Sequence, residues 1–166
     1  MKKYAFDTSG VSNPLEAMPE DVHDSLWSHF KTKVLPSGIV AVTQEIFEEM
    51  EHIPGAVGAS IKANKANILM EVGEDWDWQS YIDHSNKLQD THHDFISEFI
   101  GGSKKTVGLN DISIIALAMT LRVPVVSMEK PVSAGSKKLH IPDVCKIEKV
   151  DHLNFSDFCR KENLKF

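Results

Sequence analysis

Asp111-Ile112-Ser113-Ile114-Ile115-Ala116-Leu117-Ala118-Met119-Thr120-Leu121-Arg122 reads as a helix that is apolar around nearly its whole circumference, so it should be largely buried. Pro124-Val125-Val126-Ser127, just after it, reads as a short strand. Outward from this pair, strands and helices keep alternating. Lys3 to Phe6 is a strand entering a polar turn, Asp7-Thr8-Ser9-Gly10. Pro19 stands where a first helical turn tolerates it, and Val22, Leu26, Phe30 and Val34 recur at helical spacing. Ile39 to Val42 is a second strand, with Thr43 as N-cap of a helix from Gln44 to His52. Beyond Pro54-Gly55, a helix over Val57 to Lys65 leads to a strand at Ile68 to Val72. Trp78 to Phe99 holds one long helix or two shorter ones, stopped by Gly101-Gly102. Lys146 to Val150 is the expected last strand, and Asn154 to Asn163 a closing amphipathic helix. This alternation predicts a three-layer α/β/α domain over residues 1–166, with a mostly parallel central sheet of four to five strands.

Composition agrees with one domain: 166 residues at 42% hydrophobic content can bury one sizeable core. The longest apolar run, Ile114 to Met119, is far too short to span a membrane. Lys2 and Lys3 resemble a signal-peptide start, but Tyr4-Ala5-Phe6 runs straight into Asp7 and leaves no apolar segment. A cytoplasmic location with no membrane partner is therefore expected. Cys145 and Cys159 lack CxxC spacing and read as reduced structural thiols. The net charge of −6 argues against a broad basic surface for coating nucleic acid. It is compatible with an enzyme that holds nucleic acid locally, because a cluster of metal-binding carboxylates is itself acidic.

In parallel sheets, ligands bind beyond the carboxyl ends of the strands. Three strands deliver polar groups there: Asp7, Thr43, and the run from Ser127 to Glu129. Asp111 opens the apolar helix, and a buried carboxylate needs a partner, a hydrogen bond or a metal; a simpler role is an N-terminal acid favoured by the helix dipole. Glu45, Glu48, Glu49 and Glu51 share one helix whose buried side is marked by Ile46, Met50 and Ile53. At about 100° per residue, Glu49 lies closest to that stripe and Glu48 points away. Converging carboxylates repel one another, and Mg²⁺ or Mn²⁺ relieves that repulsion with oxygen ligands and retained waters. His84, His92 and His93 do not share a face and read as surface or packing residues.

At these residues the chain resembles the PIN-domain nucleases, which include the VapC-like ribonuclease toxins and a set of less characterised PIN-like bacterial proteins. The resemblance lies in an ordered set of short motifs spanning almost the whole chain. They are Tyr4-Ala5-Phe6-Asp7-Thr8, Val42-Thr43 through Glu48-Glu49-Met50, Asn110-Asp111 opening an Ala-rich helix, and Val125-Val126-Ser127-Met128-Glu129. Two positions depart from the family: Ser9 stands where many members have Asn, and Glu129 replaces the commoner Asp. Ile141-Pro142-Asp143-Val144-Cys145 looks like a feature of the less characterised branch, in which Asp143 supplies or supports the fourth acid.

The resemblance implies a single PIN-like domain that hydrolyses phosphodiesters with Mg²⁺ or Mn²⁺. RNA is the expected substrate and DNA the alternative. Asp7 and Asp111 would be direct metal ligands, Glu49 would bind metal or hold its water, and Glu129 or Asp143 would lie outermost. Thr8 and Ser9 would fix the Asp7 carboxylate at the substrate edge. A VapC-like role further implies a toxin with a cognate antitoxin, and a homodimer. Lys130, Lys137 and Lys138, on the loop leaving the Val125-Val126 strand, are the expected phosphate contacts.

Three other readings compete. A phosphoaspartate receiver domain would want an acidic pair at the first strand end. A haloacid-dehalogenase-type phosphatase would want a second Asp where Ser9 stands. A catalytically inactive PIN-like module acting through protein contacts is kept in play by Ser9 and Glu129.

Overall fold

The computed structural model describes residues 1–102 and 105–166. Its centre is a four-stranded, all-parallel sheet of β1 (Tyr4–Phe6), β2 (Val40–Ala41), β3 (Val125–Val126) and β4 (His152–Leu153), in the order β2-β1-β3-β4. The chain moves outward in one direction from β1 to β2 and in the other to β3 and β4. The gap between β1 and β3 is thus a topological switch point, where open α/β sheets place their ligands.

Helices flank the sheet, as the alternation of elements predicts. In chain order they are α1 (Ser9–Ala17), α2 (Asp24–His29), α3 (Gln44–Met50), α4 (Gly55–Ala63), α5 (Lys65–Ile68), α6 (Trp78–Thr91), α7 (Leu109–Leu121), α8 (Ile141–Glu148) and α9 (Phe155–Lys161). Side chains alternate along a strand, so Tyr4 and Phe6 share one face. Phe158 of α9 meets both rings edge-on, with centroids 5.0 Å apart in each pair. Ala5 points to the opposite face, and its small side chain suits close helix packing. The apolar helix α7 packs against β1 and β3, and Ile112 through Ala118 are all buried.

The structure corrects several element readings. Asp7-Thr8-Ser9-Gly10 is no simple turn but the entry to α1, whose first residues lie against β3. A Cβ on Gly10 would sit 2.7 Å from the Val126 carbonyl oxygen, so only glycine permits that approach. Lys146 to Val150 is not a strand. Residues 146–148 end α8, whose Ile141, Val144 and Cys145 are buried at helical spacing, and Lys149 closes it in the left-handed conformation. The last strand falls two residues later. Ile68 to Val72 shrinks to a single parallel bridge, Leu69 to Val42. The Val22–Val34 series is not one helix. Val22 is exposed in a turn, while Phe30 to Val34 continues α2 as a π-helical segment. Both cysteines are free thiols. No helix among the described residues is long and apolar enough to cross a membrane.

Candidate active site

Asp7 leaves β1 at its carboxyl end and is buried. Its backbone N–H donates to Val126 O at 2.9 Å, which holds it beside β3. Its Oδ2 accepts from the Ser9 N–H at 3.1 Å and from the Ser9 hydroxyl at 2.6 Å. The same Ser9 oxygen accepts from the Met128 N–H at 3.1 Å. Ser9 therefore clamps the first acid to the strand end that leads to Glu129. Burial pushes the Asp7 carboxyl above its ordinary range, and the hydrogen bonds from Ser9 and Thr8 pull it partly back.

The other three acids arrive from separate elements. Glu49 lies in the last turn of α3, where its Oε1 accepts from the Thr8 hydroxyl at 3.1 Å. Thr8 thus steadies the second acid through its side chain, while Ser9 holds the first. Partial burial raises the Glu49 carboxyl; the Thr8 and Asn110 hydrogen bonds oppose this and the Asp7 charge adds to it. Glu48 is exposed, as Glu49 also is, but its partner differs: it accepts from Gln44 Nε2 at 2.9 Å, outside this group. Asp111, on the first turn of α7, accepts the Gly108 N–H at 2.9 Å, so it does serve as a helix N-terminal acid. It is more than that. Burial lifts its carboxyl to about 7 against the Gly108 bond, with Asp7, Glu129 and Glu49 all pushing the same way. Glu129 follows β3, and its Oε2 accepts from the Ile141 N–H at 2.8 Å, at the start of α8. Burial raises its carboxyl as well, the Ile141 bond lowers it, and Asp7 raises it further.

Asp7 is the shared neighbour, since its charge disfavours ionisation of each of the other three. Two acids flank the switch point, at the ends of β1 and β3, and two come from helices that close over it. Asp143 stands apart. Its Oδ2 accepts from the His140 N–H at 2.8 Å and the Val132 N–H at 3.1 Å, fastening the 129–140 loop to α8, and its charge disfavours ionisation of Glu129. In that loop, Lys130 and Lys137 are exposed and Lys138 is half-buried. His92 is a packing residue, its Nε2 2.9 Å from Glu148 Oε2.

A family model described as a domain of unknown function (DUF4411) matches residues 4–166. The chain belongs to the DUF4411 family. It is also similar to the solved structure of VapBC-1 from nontypeable Haemophilus influenzae, at 12% identity and a TM-score of 0.47, over 92% of this chain and 98% of that one. No curated protein matches it.

In the DUF4411 site the expected Thr43 cap is joined by Asn110 and Ser113, to which sequence reading assigned no role. The Thr43 hydroxyl caps α3 through the Ile46 N–H at 3.3 Å and lies 2.9 Å from the Ser113 hydroxyl, which donates to Asn110 O at 2.7 Å. This buried chain sets the helix bearing Glu49 against the helix bearing Asp111. Asn110 itself reaches Glu49. The available signal was spacing: Asn110 and Ser113 lie three apart on the turn that carries Asp111.

Among the described residues, no group of three or more Asp, Glu, His or Cys side chains is gathered tightly enough to hold an ion as it stands. The hydrogen bonds explain the spread, because Asp111 and Glu129 each turn an oxygen toward a backbone N–H. The donor set is all oxygen. It suits Mg²⁺, which keeps several waters and needs only one or two carboxylates rather than a full protein cage.

Proposed function

We propose that this chain is a Mg²⁺- or Mn²⁺-dependent nuclease that hydrolyses phosphodiester bonds in RNA. The observation that carries this reading is the convergence of Asp7, Glu49, Asp111 and Glu129. They come from four separate elements to the carboxyl edge of a parallel sheet, and all four carboxyls lie above their ordinary range. A fold that served stability alone would gain nothing from such repulsion, whereas a divalent cation relieves it. In this reading Asp7 and Asp111 hold the ion, Glu49 orients water, and Glu129 lies outermost. A bound Mg²⁺ or Mn²⁺ supplies the charge that activates water and stabilises the leaving oxygen of a phosphodiester. Ser9 keeps Asp7 aimed into the pocket, and Thr8 does the same for Glu49. Asp143 supports Glu129 by fixing the loop between them. Lys130, Lys137 and Lys138 meet the flanking phosphates. A toxin role, a cognate antitoxin and a homodimer belong to the same proposal and rest on the VapC-like resemblance.

Calorimetric titration tests the site. Mn²⁺ should bind the parent at millimolar concentration or below and raise its melting temperature by mass action, and Asp7→Asn should weaken both effects. Absence of Mg²⁺ and Mn²⁺ binding would instead favour the inactive protein-interaction module.

A further inference from the structure

A groove of about 560 Å³, lined by none of the four acids, opens between the first turn of α3, the segment after the Leu69 bridge, and α6. Its volume lies within the roughly 300–1,000 Å³ typical of small-molecule sites. It belongs to the same sheet edge, since Gln44 follows the carboxyl end of β2 and Met70 follows the parallel bridge at Leu69. Two links join it to the acids. Glu45, which lines it, is four residues from Glu49 on α3 and so occupies the same helical stripe, one turn away. Tyr81, which also lines it, stands on α6, which packs along α7, the helix that carries Asp111.

The lining chemistry selects among the parts of a nucleotide. No lining residue is basic, and Glu45 and Glu71 both face the groove, so a phosphate is repelled there. Met70, Val72 and Ile82 offer apolar surface to a flat ring. Gln44, Asn86 and Gln89 carry amides, the side chains that read base edges, and the two glutamates accept from exocyclic amino groups. The geometry points to a subsite for one unpaired nucleobase of the RNA, next to the scissile phosphate, with preference for an amino-bearing base (adenine, cytosine or guanine) over uracil. The subsite rests on the nuclease reading and assigns that reading a single-stranded substrate with a base preference.

Binding of short oligonucleotides to the Asp7→Asn protein tests it without cleavage. Hexaadenylate and hexacytidylate should each bind at least about fivefold more tightly than hexauridylate, the lower end of what one good base contact provides. Adding Glu45→Ala and Glu71→Ala, which removes the acceptors for an exocyclic amino group, should remove that discrimination, so that the three oligonucleotides bind within about twofold of one another. If the three oligonucleotides bind equally, or the added changes leave the discrimination intact, the groove is not a base site and the nuclease reading stands. If the protein binds none of them and the parent cleaves no RNA, the nuclease reading falls and takes the subsite with it.

Discussion

Asp111→Asn should stabilise the metal-free protein, and the size of the effect follows from the pocket. A carboxyl raised from 3.8 to about 7 costs the folded state about 4 kcal/mol once ionised, at about 1.4 kcal/mol per pKa unit. Because the folded value lies above the unfolded one, this acid adds no penalty below about pH 4; the penalty grows as pH rises and is complete above about pH 7. Asparagine keeps an oxygen for the Gly108 N–H. It gives up the favourable interaction of a charge with the helix N-terminus, worth about 0.3–1 kcal/mol. With water screening the open side of the pocket, the net gain at pH 8.5 is about 2–3 kcal/mol. For a chain of this length that raises Tm by about 5–10 °C. Melting of parent and variant in EDTA, from pH 4 to pH 8.5, measures it. The gap should be widest at alkaline pH, shrink below pH 7 and close near pH 4. An equal gap at every pH, or none at pH 8.5, would show that ionisation of a crowded, half-buried acid is not its source.

Three further outcomes follow from the same geometry. Glu49→Gln should lose most RNA cleavage while Glu48→Gln stays near the parent; the reverse order in a cleavage assay would mean that Glu48 is the acid that matters. Ser9→Ala removes the tie to Asp7 and leaves the Met128 N–H without its acceptor, so urea denaturation should show a loss of about 1–3 kcal/mol; an unchanged midpoint would mean the clamp is idle. Lys137→Ala/Lys138→Ala should weaken RNA binding and flatten the slope of log affinity against log salt by up to about 1.4, with metal affinity retained. A double variant that keeps the parent's affinity and slope would make this loop an ordinary solvated one.

β1, β2 and β3 were legible because each is a short apolar run that ends in a polar group, whereas β4, only His152 and Leu153, carries no such pattern and was not. Asp7, Glu49 and Asp111 were legible for a related reason: each sits where an apolar pattern meets the carboxyl edge. Two helices were not. α1 contains Ser9, Gly10 and Pro14, residues that favour turns locally, and it forms because Gly10 lets it pack on β3. α8 was hidden by reading Lys146 to Val150 as strand alternation, although Ile141, Val144 and Cys145 already carried the helical period. Glu129 and Asp143 could not be separated by spacing, because the hydrogen bonds that distinguish them come from a loop whose path no local pattern encodes. Thr8 and Ser9 were expected to serve the same acid, but the turn into α1 sends their hydroxyls to different carboxylates.

The proposed metal-dependent phosphodiesterase site is built from four mutually repelling acids, with Asp7 as their shared neighbour. Its most direct test is cleavage of a labelled single-stranded RNA by the parent and by Asp7→Asn, each with Mg²⁺, with Mn²⁺ and with EDTA. The account predicts that the parent cuts only when a divalent ion is supplied and that Asp7→Asn, still folded by circular dichroism, does not cut. A parent that is inert with both ions, or an Asp7→Asn protein that cuts as fast as the parent, would contradict it.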